Sequence, residues 1–116
     1  MKKKRIVELY RFLSGASMKK MQDDEKVAFI KLLREMKPVF TEMQSAANDA
    51  LEQARKDCDD NRQVMAIVDK AMEDLANAEC EINVRTMKRD TFERLCLSND
   101  WPFAAIDELE QDMVVS

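Results

Sequence analysis

The longest hydrophobic pattern in the chain lies between Asp23 and Arg55. Apolar residues recur there at alternating steps of four and three, at Phe29, Leu33, Met36, Phe40, Met43, Ala47, Ala50 and Ala54. Because this repeat averages about 3.5 residues against 3.6 for an α-helix, the apolar positions stay on one side of a helix. The pattern therefore predicts one long helix over residues 23–56, with an apolar face that the rest of the chain must cover.

The start and the middle of this predicted helix carry two local signals. Asp23 and Asp24 stand at its first turn, where carboxylates accept unpaired backbone N–H groups and complement the helix dipole. Pro38 removes one N–H donor and crowds the preceding turn, so we expect a bend near it. We expect no break, because the apolar pattern keeps its phase through Pro38.

A second helix is predicted over residues 62–78. Its apolar residues repeat the same steps, at Val64, Val68, Ala71, Leu75 and Ala78. After Met43 the apolar positions of the first helix become alanines, and small side chains let a neighbouring helix approach closely. The second helix is the natural neighbour.

The polar stretch at residues 57–61 leaves two models open. In one, Asp60 caps a new helix with Gln63 at the capping-box position, and the two helices form an αα-hairpin. In the other, a single rod runs from Asp23 to Glu79 and must dimerise to bury its apolar face. The acidic residues in the stretch make a costly apolar seam, so the hairpin is favoured.

A short amphipathic helix is predicted over residues 5–14, with its apolar face at Ile6, Leu9, Tyr10 and Leu13. Gly15 follows directly and is suited to end the helix in the left-handed conformation. Two further short helices are predicted over 89–97 and 102–113, the second with Pro102 in its first turn. We expect Phe103, Ile106, Leu109 and Met113 to fold over the hairpin and complete the core.

Residues 81–86 alternate polar and apolar side chains, which is the pattern of a half-buried strand. A strand needs a partner for its backbone N–H and C=O groups. Three partners are open: an extended segment over 3–7, the same strand of a second copy, or a strand of another protein. The predicted fold is therefore all-α, or α with one minor two-stranded sheet, in a single domain over 1–116.

Composition narrows the class of protein. The chain has 116 residues, of which 46% are hydrophobic and 36% charged, with a formal net charge of −4. Proteins that bind nucleic acids or anionic membranes usually present a positively charged surface, so the negative net charge favours neither as a partner. No apolar run reaches membrane-spanning length, the basic start is too charged for a signal peptide, and three unpaired cysteines fit a reducing cytoplasm.

Candidate chemistry is sparse. The chain contains no His, so the usual general base and metal ligand are missing, and Cys96 has no His to activate it. Three acidic clusters lack the pattern of a calcium loop, around Asp23 to Glu25, Asp57 to Asp60 and Asp107 to Glu110. We therefore predict no catalytic residue, metal site, cofactor or small-molecule substrate, and a protein that is not an enzyme.

A non-enzymatic role in protein–protein interaction or assembly is the leading functional prediction. The partner is another protein or a second copy in a homodimer, bound by strand addition and by the hairpin face. The predicted partner-binding residues are Glu81, Ile82, Asn83, Val84, Arg85 and Met65. The alternative is a small nucleic-acid-associated regulator that uses its basic residues, Lys2, Lys3, Lys4, Arg5, Lys19 and Lys20.

The order of these features resembles a family of short helical phage and prophage proteins of unknown function. The features are a basic start, a short helix ending near Gly15, a long helix through Pro38, a second helix, the 81–86 segment and two small helices. The resemblance implies a mobile-element protein of the bacterial cytoplasm that aids particle assembly or modulates a host protein.

Overall fold

Five α-helices make up the fold in a computed structural model that describes residues 1–115. They are α1 (Lys3–Leu13), α2 (Asp23–Asp57), α3 (Asn61–Asn77), α4 (Arg89–Leu97) and α5 (Phe103–Met113). No strand occurs within residues 1–115, so the all-α prediction is confirmed. The chain divides into two compact units, one formed by Met1–Tyr10 with Met36–Glu81 and the other by Arg11–Glu35 with the residues from Ile82 onward.

In the first unit α2 and α3 form the predicted hairpin. Ala54 of α2 packs with Val64 and Val68 of α3 in a small buried cluster. Half-buried apolar neighbours complete it, namely Ala50, Leu51, Cys58 and Met72. The continuous rod is not formed, because α2 ends at Asp57 and α3 begins at Asn61.

The hairpin turn is stabilised by two hydrogen bonds that involve side chains. Asp60 has extended backbone angles and its Oδ1 accepts the Arg62 N–H at 2.9 Å, as an N-cap does. Gln63 does not close the predicted capping box, since its Oε1 instead accepts a bond from the Cys58 Sγ at 2.7 Å. Both contacts hold the chain in the reversal between the helices.

Replacing this cap should weaken the hairpin. We expect Asp60→Ala to lower the free energy of unfolding by about 1 kcal/mol, because the Arg62 N–H in the first turn of α3 loses its acceptor. Urea unfolding followed by circular dichroism measures the change, with Asp59→Ala as the matched control at an exposed acidic neighbour. Equal effects of the two substitutions would show that the cap adds nothing.

The chain start is paired with the end of α3. Lys2 and Glu79 form an isolated antiparallel bridge, with bonds from the Lys3 N–H to the Ala78 carbonyl and from the Cys80 N–H to the Met1 carbonyl. The Lys3 Nζ also lies 2.9 Å from the Glu42 Oε1. Residues 3–7 belong to α1, so they are helical rather than an extended strand partner.

The second unit contains α4 and α5 side by side. The Arg89 guanidinium of α4 pairs with the Glu110 carboxylate of α5, and Met87 forms a parallel bridge with Val114. Because the start of α4 at Arg89 lies against the end of α5 at Glu110, the two helices run antiparallel. Their buried side chains are Phe92, Leu95, Leu109 and Met113.

The strand predicted over 81–86 is wrong. Asn83 Oδ1 accepts the Arg85 N–H at 3.2 Å, and the Thr86 N–H bonds the Val84 carbonyl at 3.0 Å. These local bonds turn the backbone and compete with a strand ladder. The segment therefore offers no strand edge and forms no two-stranded sheet.

One further local expectation, at Gly15, differs from the structure. No described residue has a positive φ, so Gly15 does not end α1 in the left-handed conformation. A turn bonded from the Ala16 N–H to the Leu13 carbonyl follows α1 instead. Pro38 lies inside α2, which continues through it as expected, and the bend at Pro38 stays a prediction.

Candidate docking groove

The predicted partner-binding residues are divided between the two units. Val84 is buried with 3% of its surface exposed, and the Arg85 Nη2 donates to the Gln111 carbonyl. Met65 is 54% exposed on α3 in the first unit, whereas Ile82 to Arg85 belong to the second. Of this set, Met65 is the large apolar side chain that is exposed to solvent.

The predicted basic surface is partly neutralised. Lys3 pairs with Glu42, and the Arg5 Nη1 lies 3.1 Å from the Glu8 Oε2. Lys2 and Lys4 are exposed in the first unit, and Lys19 and Lys20 are exposed in the second. Two of the six cations are thus held by carboxylates.

Glu25 is the only buried charged or polar residue in residues 1–115, with 8% of its surface exposed. Its carboxylate accepts bonds from the Arg94 Nε at 2.7 Å, the Arg94 Nη2 and the Thr91 hydroxyl. It also accepts the Gln22 N–H at 2.8 Å. We call Glu25, Thr91 and Arg94 the carboxylate latch, since they fasten the start of α2 to α4.

The latch holds Glu25 ionised. Hydrogen bonds from Arg94, supported by those from Thr91 and Gln22, lower the pKa of the Glu25 carboxyl to about 2 although burial opposes this. A polar cavity of about 380 Å³ lies beside the latch. Because both carboxylate oxygens are already bonded within the chain, the latch is a structural pair rather than a general acid or base.

An open apolar groove lies between α4 and α5. Its volume is about 530 Å³, and its lining residues are Arg89, Phe92, Glu93, Cys96, Leu97, Ile106 and Glu110. Phe92 is buried, while Cys96 and Ile106 are half-buried. Burial raises the pKa of the Cys96 thiol, helped by the Glu110 and Glu93 carboxylates, so the thiol stays protonated and acts as an apolar wall.

One end of the groove is flanked by exposed apolar side chains. Leu97 at the end of α4 is 73% exposed, and Phe103 at the start of α5 is 85% exposed. Phe103 precedes Ile106 by three positions and Glu110 by seven, so these residues share one side of α5. The Arg89–Glu110 ion pair lies at the opposite end. Leu97 thus lines the groove, and exposed Phe103 lies one turn before the lining residue Ile106 on α5.

The expectation that Phe103 completes the core is therefore wrong. Its prediction as a core residue followed from helical spacing with Ile106, Leu109 and Met113. Leu109 and Met113 are buried as expected, whereas Phe103 points to solvent. Exposed large apolar side chains beside a groove are a recognised mark of a binding surface.

Neither a metal-binding cluster nor a membrane-spanning helix is found in the described part of the chain. No group of three or more Cys, Asp or Glu side chains within residues 1–115 is placed to hold a metal ion. Among the same residues, no helix is long and apolar enough to cross a membrane.

Comparison with known proteins finds no match: no family model, no curated protein and no solved structure matches the chain.

Proposed function

We propose that this chain is a non-enzymatic protein–protein interaction module that binds a short helical segment of a partner protein in the α4–α5 groove. Leu97 and Phe103 serve as its apolar anchors. The exposure of Phe103, 85% for a large aromatic side chain, is the observation that carries the proposal. Its link to particle assembly in a phage stays a prediction.

The dimensions of the groove suit a helix as the occupant. The two helices that form it have nine and eleven residues, so the trough is about 13 to 16 Å long. That length matches about three turns of a bound helix, whose apolar residues at i, i+3 or i+4, and i+7 would face the trough. An interface of this size belongs to the weak, transient class.

The chemistry of the walls supports binding rather than catalysis. Phe92, Cys96 and Ile106 offer an apolar surface, and the Cys96 thiol is protonated at neutral pH. The charged side chains lining the groove are Arg89, Glu93 and Glu110, and Arg89 is engaged with Glu110. A trough of this kind selects apolar side chains by shape and desolvation.

The test is a selection from a yeast-displayed library of random helical peptides, with the full chain as bait. We expect the enriched peptides to bind the wild type and to lose about tenfold or more in affinity against the double variant Leu97→Ser, Phe103→Ser. The matched control is Met65→Ser, Ile67→Ser, which removes two exposed apolar side chains of α3. We expect it to leave binding within about twofold.

Each outcome is decisive. Peptides that lose affinity for the α3 variant and retain it for the groove variant would move the binding surface to the hairpin face. A library that yields no peptide sensitive to either variant would contradict the proposal. Both double variants should keep the wild-type unfolding midpoint, because all four side chains are exposed.

A further inference from the structure

The α4–α5 groove has an acidic border. Helix α5 contains four acidic residues and no basic one. Asp107 follows Phe103 by four positions and is exposed, so it lies beside Phe103 on the solvent side of the groove mouth. Glu93 adds a carboxylate from α4, and Arg89, the one basic residue that lines the groove, is paired with Glu110. The apolar trough is thus bordered by negative charge.

Resting on the proposed function, we infer that the occupant is a basic amphipathic helix of another protein. Lysine or arginine side chains that flank the apolar positions of such a helix would reach Glu93 and Asp107. Charge complementarity of this kind selects the partner and raises the association rate more than it raises the intrinsic affinity.

The same charges disfavour a second copy of this chain as the occupant. A two-fold interface places the same patch of both copies together, so two α5 helices would face each other. Each copy would bring the exposed carboxylates of Glu93 and Asp107 to that interface, and like charges brought together in this way oppose association. A foreign helix of opposite charge meets no such penalty.

Three designed peptides of about three to four helical turns test this inference. All carry leucine at i, i+3, i+4 and i+7, and the flanking positions are lysine, glutamine or glutamate. Fluorescence anisotropy with the full chain should show that the lysine peptide binds about tenfold or more tighter than the glutamate peptide at low salt. The glutamine peptide should fall between them, and the preference should shrink at high salt.

A charge variant locates the effect. Glu93→Gln, Asp107→Asn should reduce the preference for lysine over glutamate to about threefold or less. The matched control is Asp49→Asn, Asp69→Asn, which removes two exposed carboxylates from α2 and α3 of the first unit. It should leave the preference unchanged.

Failure of this inference and failure of the proposed function give different results. If all three peptides bind equally and all are weakened by Leu97→Ser, Phe103→Ser, the basic partner is overturned and the groove proposal stands. If the lysine peptide binds the wild type and that double variant with equal affinity, its binding is non-specific and the inference is overturned. If light scattering shows a dimer and Phe103→Ser dissociates it, the groove binds a second copy. If no peptide binds, the result counts against both the basic partner and the groove proposal.

Discussion

Replacing Glu25 with glutamine should lower the free energy of unfolding at pH 7 by about 2 to 3 kcal/mol. The substitution keeps the shape of the side chain but removes the charge that Arg94 and Thr91 bind. It leaves the Arg94 guanidinium beside a neutral amide, whose NH₂ group cannot accept one of the bonds that the carboxylate takes. Urea unfolding of both proteins measures the difference.

The carboxylate latch also predicts how stability depends on pH. The pKa of Glu25 falls from 4.5 to about 2 on folding, so the unfolded state binds the proton more readily. The stability that the ionised carboxylate contributes is therefore fully present above about pH 4.5 and is lost as the pH falls toward about 2. Between pH 5 and pH 2, the wild type should lose about 2 to 3 kcal/mol more than Glu25→Gln.

Glu35→Gln is the matched control, because Glu35 is an exposed glutamate on the same helix. This variant should keep the steep acid dependence of the wild type and should differ from it by less than about 0.5 kcal/mol at pH 7. If Glu25→Gln and the wild type lose stability in parallel down to pH 2, the latch does not hold the charge of Glu25 in the folded state.

The hairpin could be predicted because its information is local and periodic. The four-three spacing of Ala50 and Ala54 with its counterpart at Val64 and Val68 specifies two helices that bury one face each. The polar stretch after Asp57 then favours a reversal of chain direction between the two helices. Even here the period has limits, since Ala71 is predicted on the buried face and is exposed.

The carboxylate latch could not be predicted in the same way. Glu25 stands beside Asp23 and Asp24 and resembles one more acidic residue of a first turn, whereas its partner Arg94 is 69 residues away. One signal was present: Glu25 lies three positions after Gln22 and bonds its N–H, as the last residue of a capping box does. Which distant cation would meet it depends on tertiary packing.

Two predictions were wrong for different physical reasons: the strand over 81–86 and the burial of Phe103 in the core. Alternation over 81–86 predicts a strand only if a neighbouring strand is available, and the local bonds of Asn83 and Thr86 satisfy the backbone instead. The helical spacing of Phe103 with Ile106 is not enough to place Phe103 on the buried face of α5. At about 100° per residue, Phe103 lies about 100° from the direction shared by Leu109 and Met113, far enough to leave the buried face.

Phe29 and Phe103 give the second large prediction, since replacement by alanine should greatly lower the free energy of unfolding at one position and leave it almost unchanged at the other. Phe29 is 2% exposed inside the second unit, so Phe29→Ala should remove about 3 to 5 kcal/mol of unfolding free energy through lost burial and a cavity. Phe103 is 85% exposed, so Phe103→Ala should change it by less than about 0.5 kcal/mol. Urea unfolding at neutral pH measures both.

A loss at Phe29 can approach the whole stability of a small domain, which is about 5 to 15 kcal/mol. Phe29→Leu is therefore the second variant, with a smaller expected loss that keeps the protein measurable if the alanine variant does not fold. The contrast matters for function as well as for stability. A near-zero cost at Phe103 means that the fold does not need this aromatic ring, which leaves it available as a binding anchor. A cost above about 1 kcal/mol would place Phe103 in the core and remove the main support for the docking groove.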